Sequence, residues 1–311
     1  MLGFGTLNGE PGTTEPRTAE PSTKNPALRT FYSLNDPPGL IPRVGVGGRI
    51  VSAASAQIWT GGTMWRGWRG EPPRLATRAL RDGQFHFCRL GYSSWYREDG
   101  GQGWRTDYPG ADINFSIRFG ELTKSAVSRD QDGEPEFLVV RAEEDALFAC
   151  PFLHMEDAGT AELGDTEARR LREYLLKGGF IWTDDFWGTE AWQNWKRQIS
   201  RVLPSQYSIV DIPVTHPMFQ TLFHVKRILQ VPSIQRWRGL GGGTSERGAD
   251  SAIVNTRAIL DEKGRVLVLM THNTDISDTW EREGEDAEYF YRFSPEGYAI
   301  AINVLLYQMT H

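Results

Sequence analysis

Four short stretches of this chain carry side chains that can bind metal, move protons or hold a charged ligand. They are His154 with Glu156 and Asp157; Asp184 and Asp185 with Trp187; His272 with Asn273 and Asp275; and a loop bearing Trp95, Tyr96, Arg97, Trp104 and Arg105 that runs into Asp107. Carboxylate oxygens beside imidazole nitrogens suit Mn, Fe or Zn, and such an ion turns a bound water into a nucleophile. His154, Asp184, Asp185 and His272 are the candidate ligands for a divalent metal; Asp184, Asp185 and His272 are the candidate catalytic groups. Their spacing matches no compact ligand motif. Carboxylates just ahead of a helix also cap its free N–H groups, and capping by at least one of Asp184 and Asp185 is expected. Asn and Asp in His272-Asn273-Thr274-Asp275 equally well stabilise a turn. Trp104 and Arg105 can stack a sugar or planar ligand, or close the edge of a core. The candidate ligand-binding set is Trp104, Arg105, Asp107, His154, Glu156, Asp185, Trp187, Asn273 and Asp275. The acid-rich stretch from Trp280 to Asp286 reads as a solvated loop or as a lid over a pocket.

The elements that position these residues follow from periodicity. Phe85 to Leu90 alternates and reads as a strand, Phe137 to Val140 as a second, and Leu147 to Met155 contains a third. Asp107-Tyr108-Pro109 opens a helix whose apolar face is Phe115, Phe119 and Leu122, with Asp107 placed to cap it. A clear helix starts at Gly164-Asp165-Thr166-Glu167, buries Ala168, Leu171 and Leu175, and stops at Gly178-Gly179. Phe180 to Thr183 is a buried strand that runs into a turn at Asp184-Asp185. Trp192, Trp195, Ile199 and Val202 make the core face of the next helix. Tyr207 to Ile212 is strand-like, residues 213–250 are irregular, Ala252 to Leu260 and Arg265 to Met270 pair across a turn, and Pro295 to Met309 is a final helix. Strands alternating with helices imply a mostly parallel sheet with helices on both faces. In such sheets ligands bind beyond the carboxyl ends of the strands, where all four stretches fall.

Composition narrows the function classes. The net charge is −6 and the pI about 5.6, with no basic field, which weighs against nucleic acid as a partner. No apolar run is long enough for a membrane span. Residues 1–83 are rich in Pro, Thr, Glu and Gly and read as a low-order arm or linker, with the cluster Trp65-Arg66-Gly67-Trp68-Arg69 packed on the chain's own domain; residues 84–311 form the α/β domain. The polar first 30 residues do not read as a signal peptide; Ala54-Ser55-Ala56 has the small-x-small form of a signal-peptidase site and is expected to be linker, with a damaged export signal behind a start codon set too far upstream as the second reading. Cys88 and Cys150 lie in apolar runs and are expected as buried free thiols, not a bridge.

Several motifs in order carry a resemblance: Thr106-Asp107-Tyr108-Pro109, Tyr174 to Phe180, Asp184-Asp185-Phe186-Trp187-Gly188, His272-Asn273-Thr274-Asp275, Trp280 to Asp286 and Met309-Thr310-His311. Over residues 84–311 the chain resembles a bacterial family of unknown function whose members look like remote relatives of the class I glutamine amidotransferase superfamily. The resemblance implies a flavodoxin-like α/β fold and an exported, periplasmic protein. It also allows a comparison of chemistry, because an amidotransferase carries a Cys nucleophile on a tight strand-to-helix elbow. Here that position holds Thr183-Asp184-Asp185-Phe186-Trp187-Gly188, with no Cys or Ser, and His272 is followed by Asn273 instead of a His-x-Glu pattern. The expectation is a module that binds a small molecule or protein in an amidotransferase-like pocket without the nucleophile. The second reading is a metal-assisted hydrolase using Asp184, Asp185 and His272.

Overall fold

The computed structural model describes residues 82–311, and every absence stated below refers to them. The expected arm, its Trp-Arg cluster and Ala54-Ser55-Ala56 lie outside the described residues, apart from the last two positions of the arm. The centre is a seven-stranded sheet. Its parallel strands are β1 (Phe87–Gly91), β3 (Phe137–Arg141), β4 (Leu153–Met155), β6 (Ile181–Phe186) and β9 (Val266–His272); β8 (Asn255–Leu260) and β7 (Ile209–Asp211) continue it antiparallel. Across the sheet the order is β3-β1-β4-β6-β9-β8-β7, and a separate small ladder joins β2 (Ser93–Ser94) to β5 (Ala161–Glu162). The chain leaves β1 outward to β3, then crosses back past β1 to β4. Connections therefore diverge between β1 and β4, and the crevice opened there at the carboxyl ends is where open sheets bind ligands.

Alternation along the strands divides the interior into two apolar layers. Phe87, Val139, Trp182 and Leu269 pack on one side with α1 (Gly110–Thr123), α4 (Ile234–Gly239), α5 (Asp278–Glu281) and α6 (Ala287–Thr310). Cys88, Leu90, Val140, Ile181, Val268 and Met270 pack on the other with α2 (Asp165–Leu176) and α3 (Gly188–Val202). Every residue of β9 is buried, as a strand covered on both faces requires. The stripe expected on α2 is buried as read, and each such leucine contributes roughly 1.5–3 kcal/mol. The helix ends at Gly178, whose φ of 112° suits glycine and few other residues. Gly297 lets α6 approach α5 closely, since a Cβ there would run into the Thr279 side chain.

Five local readings change. The helix after Tyr108-Pro109 starts at Gly110, and the Asp107 side chain does not cap it; the residue takes a left-handed φ of 62° and turns its carboxylate to the Ser277 hydroxyl, 2.6 Å away. The last helix begins at Ala287, not at Pro295, because Asp286 accepts the N–H groups of Glu288 and Tyr289 and starts it earlier. Residues 213–250, read as irregular, contain α4. The Asp184-Asp185 pair belongs to β6 itself, at a bulge, instead of a turn beyond it. The two cysteines are not free thiols. Cys88 and Cys150 form a disulfide with Cα atoms 6.1 Å apart. Cys150 lies at the end of a short 3-10 turn over Asp145–Ala149, outside any strand, and the lateral pairing of β4 with β1 brings it to Cys88.

Candidate functional site

The bulge in β6 sends two adjacent carboxylates to different tasks. Ladder pairing with β9 is regular through Thr183, shifts, and resumes at Phe186 opposite His272. Asp184 is fully buried and accepts hydrogen bonds from the Thr271 hydroxyl (2.5 Å) and from the N–H groups of Ile276 (2.7 Å) and Ser277 (3.1 Å). It therefore anchors the segment leading into α5. Asp185 has a φ of 49°, a conformation L-residues rarely adopt outside functional or tightly determined sites, and it faces the rim. Its Oδ1 accepts the Trp187 indole N–H at 2.9 Å. Neither aspartate caps α3, as had been expected of one of them. The first N–H groups of α3 go instead to Asn273 Oδ1 and Asp250 Oδ2, each at 2.8 Å.

The rim encloses a cleft of about 400 Å³. It is built by the loop after β1, the residues after β4 and β6, the segment after β9, and the stretch from Ser233 to Arg247. Nine carboxylates line it, among them Asp107, Asp157, Asp185, Asp275, Asp278 and Glu281, against four arginines, Arg105, Arg236, Arg247 and Arg282. The loops are latched across the opening by Arg247 to Glu98 at 2.7 Å and by Arg236 to Asp99. Three of the aspartates, Asp107, Asp157 and Asp185, share the left-handed backbone conformation.

Beneath the cleft lies a buried charged layer. Arg89, in the middle of β1, is fully enclosed and grips Asp112 of α1 through two nitrogens, with Nη2 to Oδ2 at 2.9 Å. Its Nη1 donates to the carbonyls of Trp104 (3.1 Å) and Thr106 (2.7 Å), which sets the course of the loop carrying Asp107. Burial opposes its charge, but Asp112 and Glu156 more than compensate, so it stays cationic. Next to it His154 Nε2 meets Glu156 Oε1 at 2.5 Å. Burial and the nearby Arg89 push the imidazole down to about 4, while burial and Asp107 push Glu156 up to about 8. Both shifts favour the uncharged forms of the two groups.

Acid crowding dominates the rest. Burial, reinforced by Glu156, pushes Asp184 up to about 8, and burial with Asp107 pushes Asp278 up to about 7. Asp185, Asp275 and Glu281 are raised for the same first reason, burial, and then by neighbouring aspartates; Asp157 is raised by burial and Glu98. Three groups of acidic or imidazole side chains at or beneath the cleft bring one ligand atom each within 4.8 Å of the others: His154-Glu156-Asp184, Asp107-Glu156-Asp275 and Asp107-Asp278-Glu281. A fourth, Asp82-His86-Glu136, surrounds the start of β1, at the opposite edge of the sheet.

Of the residues singled out in the sequence, Arg105, Asp107, Asp185, Trp187 and Asp275 line the cleft, and His154, Glu156 and Asp184 lie beneath it. His272 does not join them. Its ring packs against Phe186 and Trp192, its Nε2 meets the Gly188 carbonyl at 3.0 Å, and it belongs to none of the metal-competent groups among the described residues. Burial pushes it down to about 4. Asn273 braces α3, and Trp104 packs on the core edge under Arg105, whose guanidinium lies 4.5 Å from its ring centroid. The acid-rich stretch, read as loop or lid, is divided. Glu281 and Arg282 line the cleft, while Glu283 pairs with Arg118 and accepts from the Tyr298 hydroxyl. Sequence reading missed Arg89, Glu98, Asp278 and Arg247 as participants. The usable signal for Arg89 was a single cation inside an alternating apolar strand, which can be buried only against acids.

A family model described as Domain of unknown function (DUF4159) matches residues 86–309, and the chain belongs to that family. No curated protein matches the chain.

Proposed function

We propose that this member of the DUF4159 family is a binding module whose cleft receives positive charge brought by its ligand. The observation that carries the reading is the charge imbalance: nine carboxylates against four arginines, three of which are engaged by acids of the cleft itself. Buried carboxyl groups without compensating cations are costly to the folded state, and such a cost persists where binding needs it. The element at which an amidotransferase would carry its nucleophile, Thr183 to Gly188, holds no Cys or Ser, which favours binding over glutaminase chemistry. The order of the five parallel strands, with the second outside the first and the third to fifth on its other side, supports a flavodoxin-like arrangement. The disulfide supports residence in an oxidising compartment, in line with export.

The test needs no knowledge of the ligand. Asp157→Asn and Asp185→Asn each remove a carboxylate that crowds the cleft and keep its shape. Each variant is expected to stabilise the ligand-free protein by about 0.5–2 kcal/mol in urea denaturation. Destabilisation by both would mean that the carboxylates hold the fold together, and the binding reading would be abandoned.

The second reading, a hydrolase using Asp184, Asp185 and His272, has less support. His272 is occupied by Gly188 and the aromatic rings of Phe186 and Trp192, and Asp184 is committed to three donors.

A further inference from the structure

The floor of the cleft contains a group of oxygens with too few donors. Ser277 Oγ lies 2.6 Å from Asp107 Oδ2 and 3.0 Å from Asp275 Oδ1, yet a hydroxyl has one hydrogen to give; Asp275 Oδ1 also accepts the Asp278 N–H at 2.9 Å. Glu156 stands beside these two carboxylates. It is fully buried, its Oε1 is engaged by His154, and its Oε2 receives no hydrogen bond of normal geometry among the described residues, the nearby Ser277 hydroxyl being directed to Asp107. A buried carboxylate oxygen left without a donor is rare in folded proteins and calls for a missing partner. One oxygen from each of Asp107, Glu156 and Asp275 lies within 4.8 Å of the others. An ion that binds oxygen at about 2.0–2.6 Å fits between atoms so spaced.

We propose that Asp107, Glu156 and Asp275 form a site for a hard divalent cation, of the Ca, Mg or Mn class, on the floor of the cleft. Three carboxylates without imidazole or thiolate select that class over Zn or Cu. His154 is a positioning residue here: it holds Glu156 Oε1 and leaves Oε2 for the ion, as groups behind a metal's ligands commonly do. Asp184 has a similar role at one remove, because it fixes the backbone of Ile276 and Ser277 next to Asp275. The proposal rests on reading the cleft as a binding site and specifies what first fills it. Asp107 and Asp275 line the cleft, so a ligand there with oxygen donors would complete the ion's coordination.

The test is a chelator-stripped full-length chain titrated separately with Ca²⁺, Mg²⁺ and Mn²⁺, followed by thermal denaturation and calorimetry. At least one ion is expected to raise Tm by roughly 5–10 °C at a hundredfold excess over its dissociation constant. Asp275→Asn is expected to weaken that ion about tenfold or more, and Asp107→Asn serves the same purpose if the first variant lacks native circular dichroism. Glu136→Gln, in the distant Asp82-His86-Glu136 group, is expected to leave the affinity unchanged. The proposal is overturned if no ion shifts Tm, if binding survives both aspartate variants, or if it disappears in Glu136→Gln. Failure of the metal site alone would leave the Asp157→Asn and Asp185→Asn stabilisation intact. Failure of the binding reading would remove that stabilisation whatever the ions do.

Discussion

Replacing Cys88 and Cys150 together by alanine should lower stability by about 4 kcal/mol. The bridge joins residues 62 apart in sequence, linking the middle of β1 to the turn before β4. Closing a loop of that length removes roughly 14 cal/mol/K from the unfolded chain, about 4 kcal/mol at 25 °C, within the range of about 2–5 kcal/mol seen when native bridges are removed. For a domain of this size the loss corresponds to a Tm lower by roughly 8–15 °C. The urea m-value should also rise, because the unfolded chain without its cross-link exposes more surface. Urea melts of oxidised, dithiothreitol-reduced and Cys88→Ala/Cys150→Ala protein measure all of this, with a thiol count on denatured, unreduced protein alongside. Two thiols in that count, or identical urea midpoints for oxidised and reduced protein, would refute the reasoning.

Other consequences are independent of the bridge. Arg89→Met leaves Asp112 and Glu156 buried without their cation and should cost about 3–5 kcal/mol in urea denaturation; Arg89→Met with Asp112→Leu should recover much of it, and a double variant as damaged as the single one would count against the buried pair. In chelator-treated protein stability should fall as pH rises from 6.5 to 8. Over that window the unfolded chain has lost its carboxyl protons, while Glu156 and Asp184, raised to about 8, keep theirs, so the folded state binds more protons and each such group contributes a downward slope of about 1.4 kcal/mol per pH unit. Below 6.5 the slope should flatten, because His154 and His272, both lowered to about 4, charge in the unfolded chain first and lose stability in the other direction. Tm measured across pH 5 to 8 checks both parts, and a rise between 6.5 and 8 would contradict them. Gly297→Ala should cost about 1–3 kcal/mol by forcing α6 away from Thr279, read by thermal denaturation; an unchanged Tm would mean the two helices are not closely packed.

What the sequence determined on its own was local. The Ala168-Leu171-Leu175 stripe, the Gly178 stop and the pairing of β8 with β9 across Lys263-Gly264 are legible because each depends on side chains within a few residues of one another. Alternation also placed Asp107, Glu156 and Asp275 after strands and Asp185 at the carboxyl end of one, and hence all four at one edge of the sheet. Which carboxylate does what was decided only by the tertiary structure. The donors that hold Asp184 lie about ninety residues away, the Ser277 hydroxyl beside Asp107 is 170 residues distant, and the bulge separating Asp184 from Asp185 exists only in the ladder with β9. The cysteines illustrate the same division. Their apolar surroundings correctly indicate burial, but whether two buried sulfurs meet depends on β4 lying beside β1, and strand order is set by packing across the whole sheet.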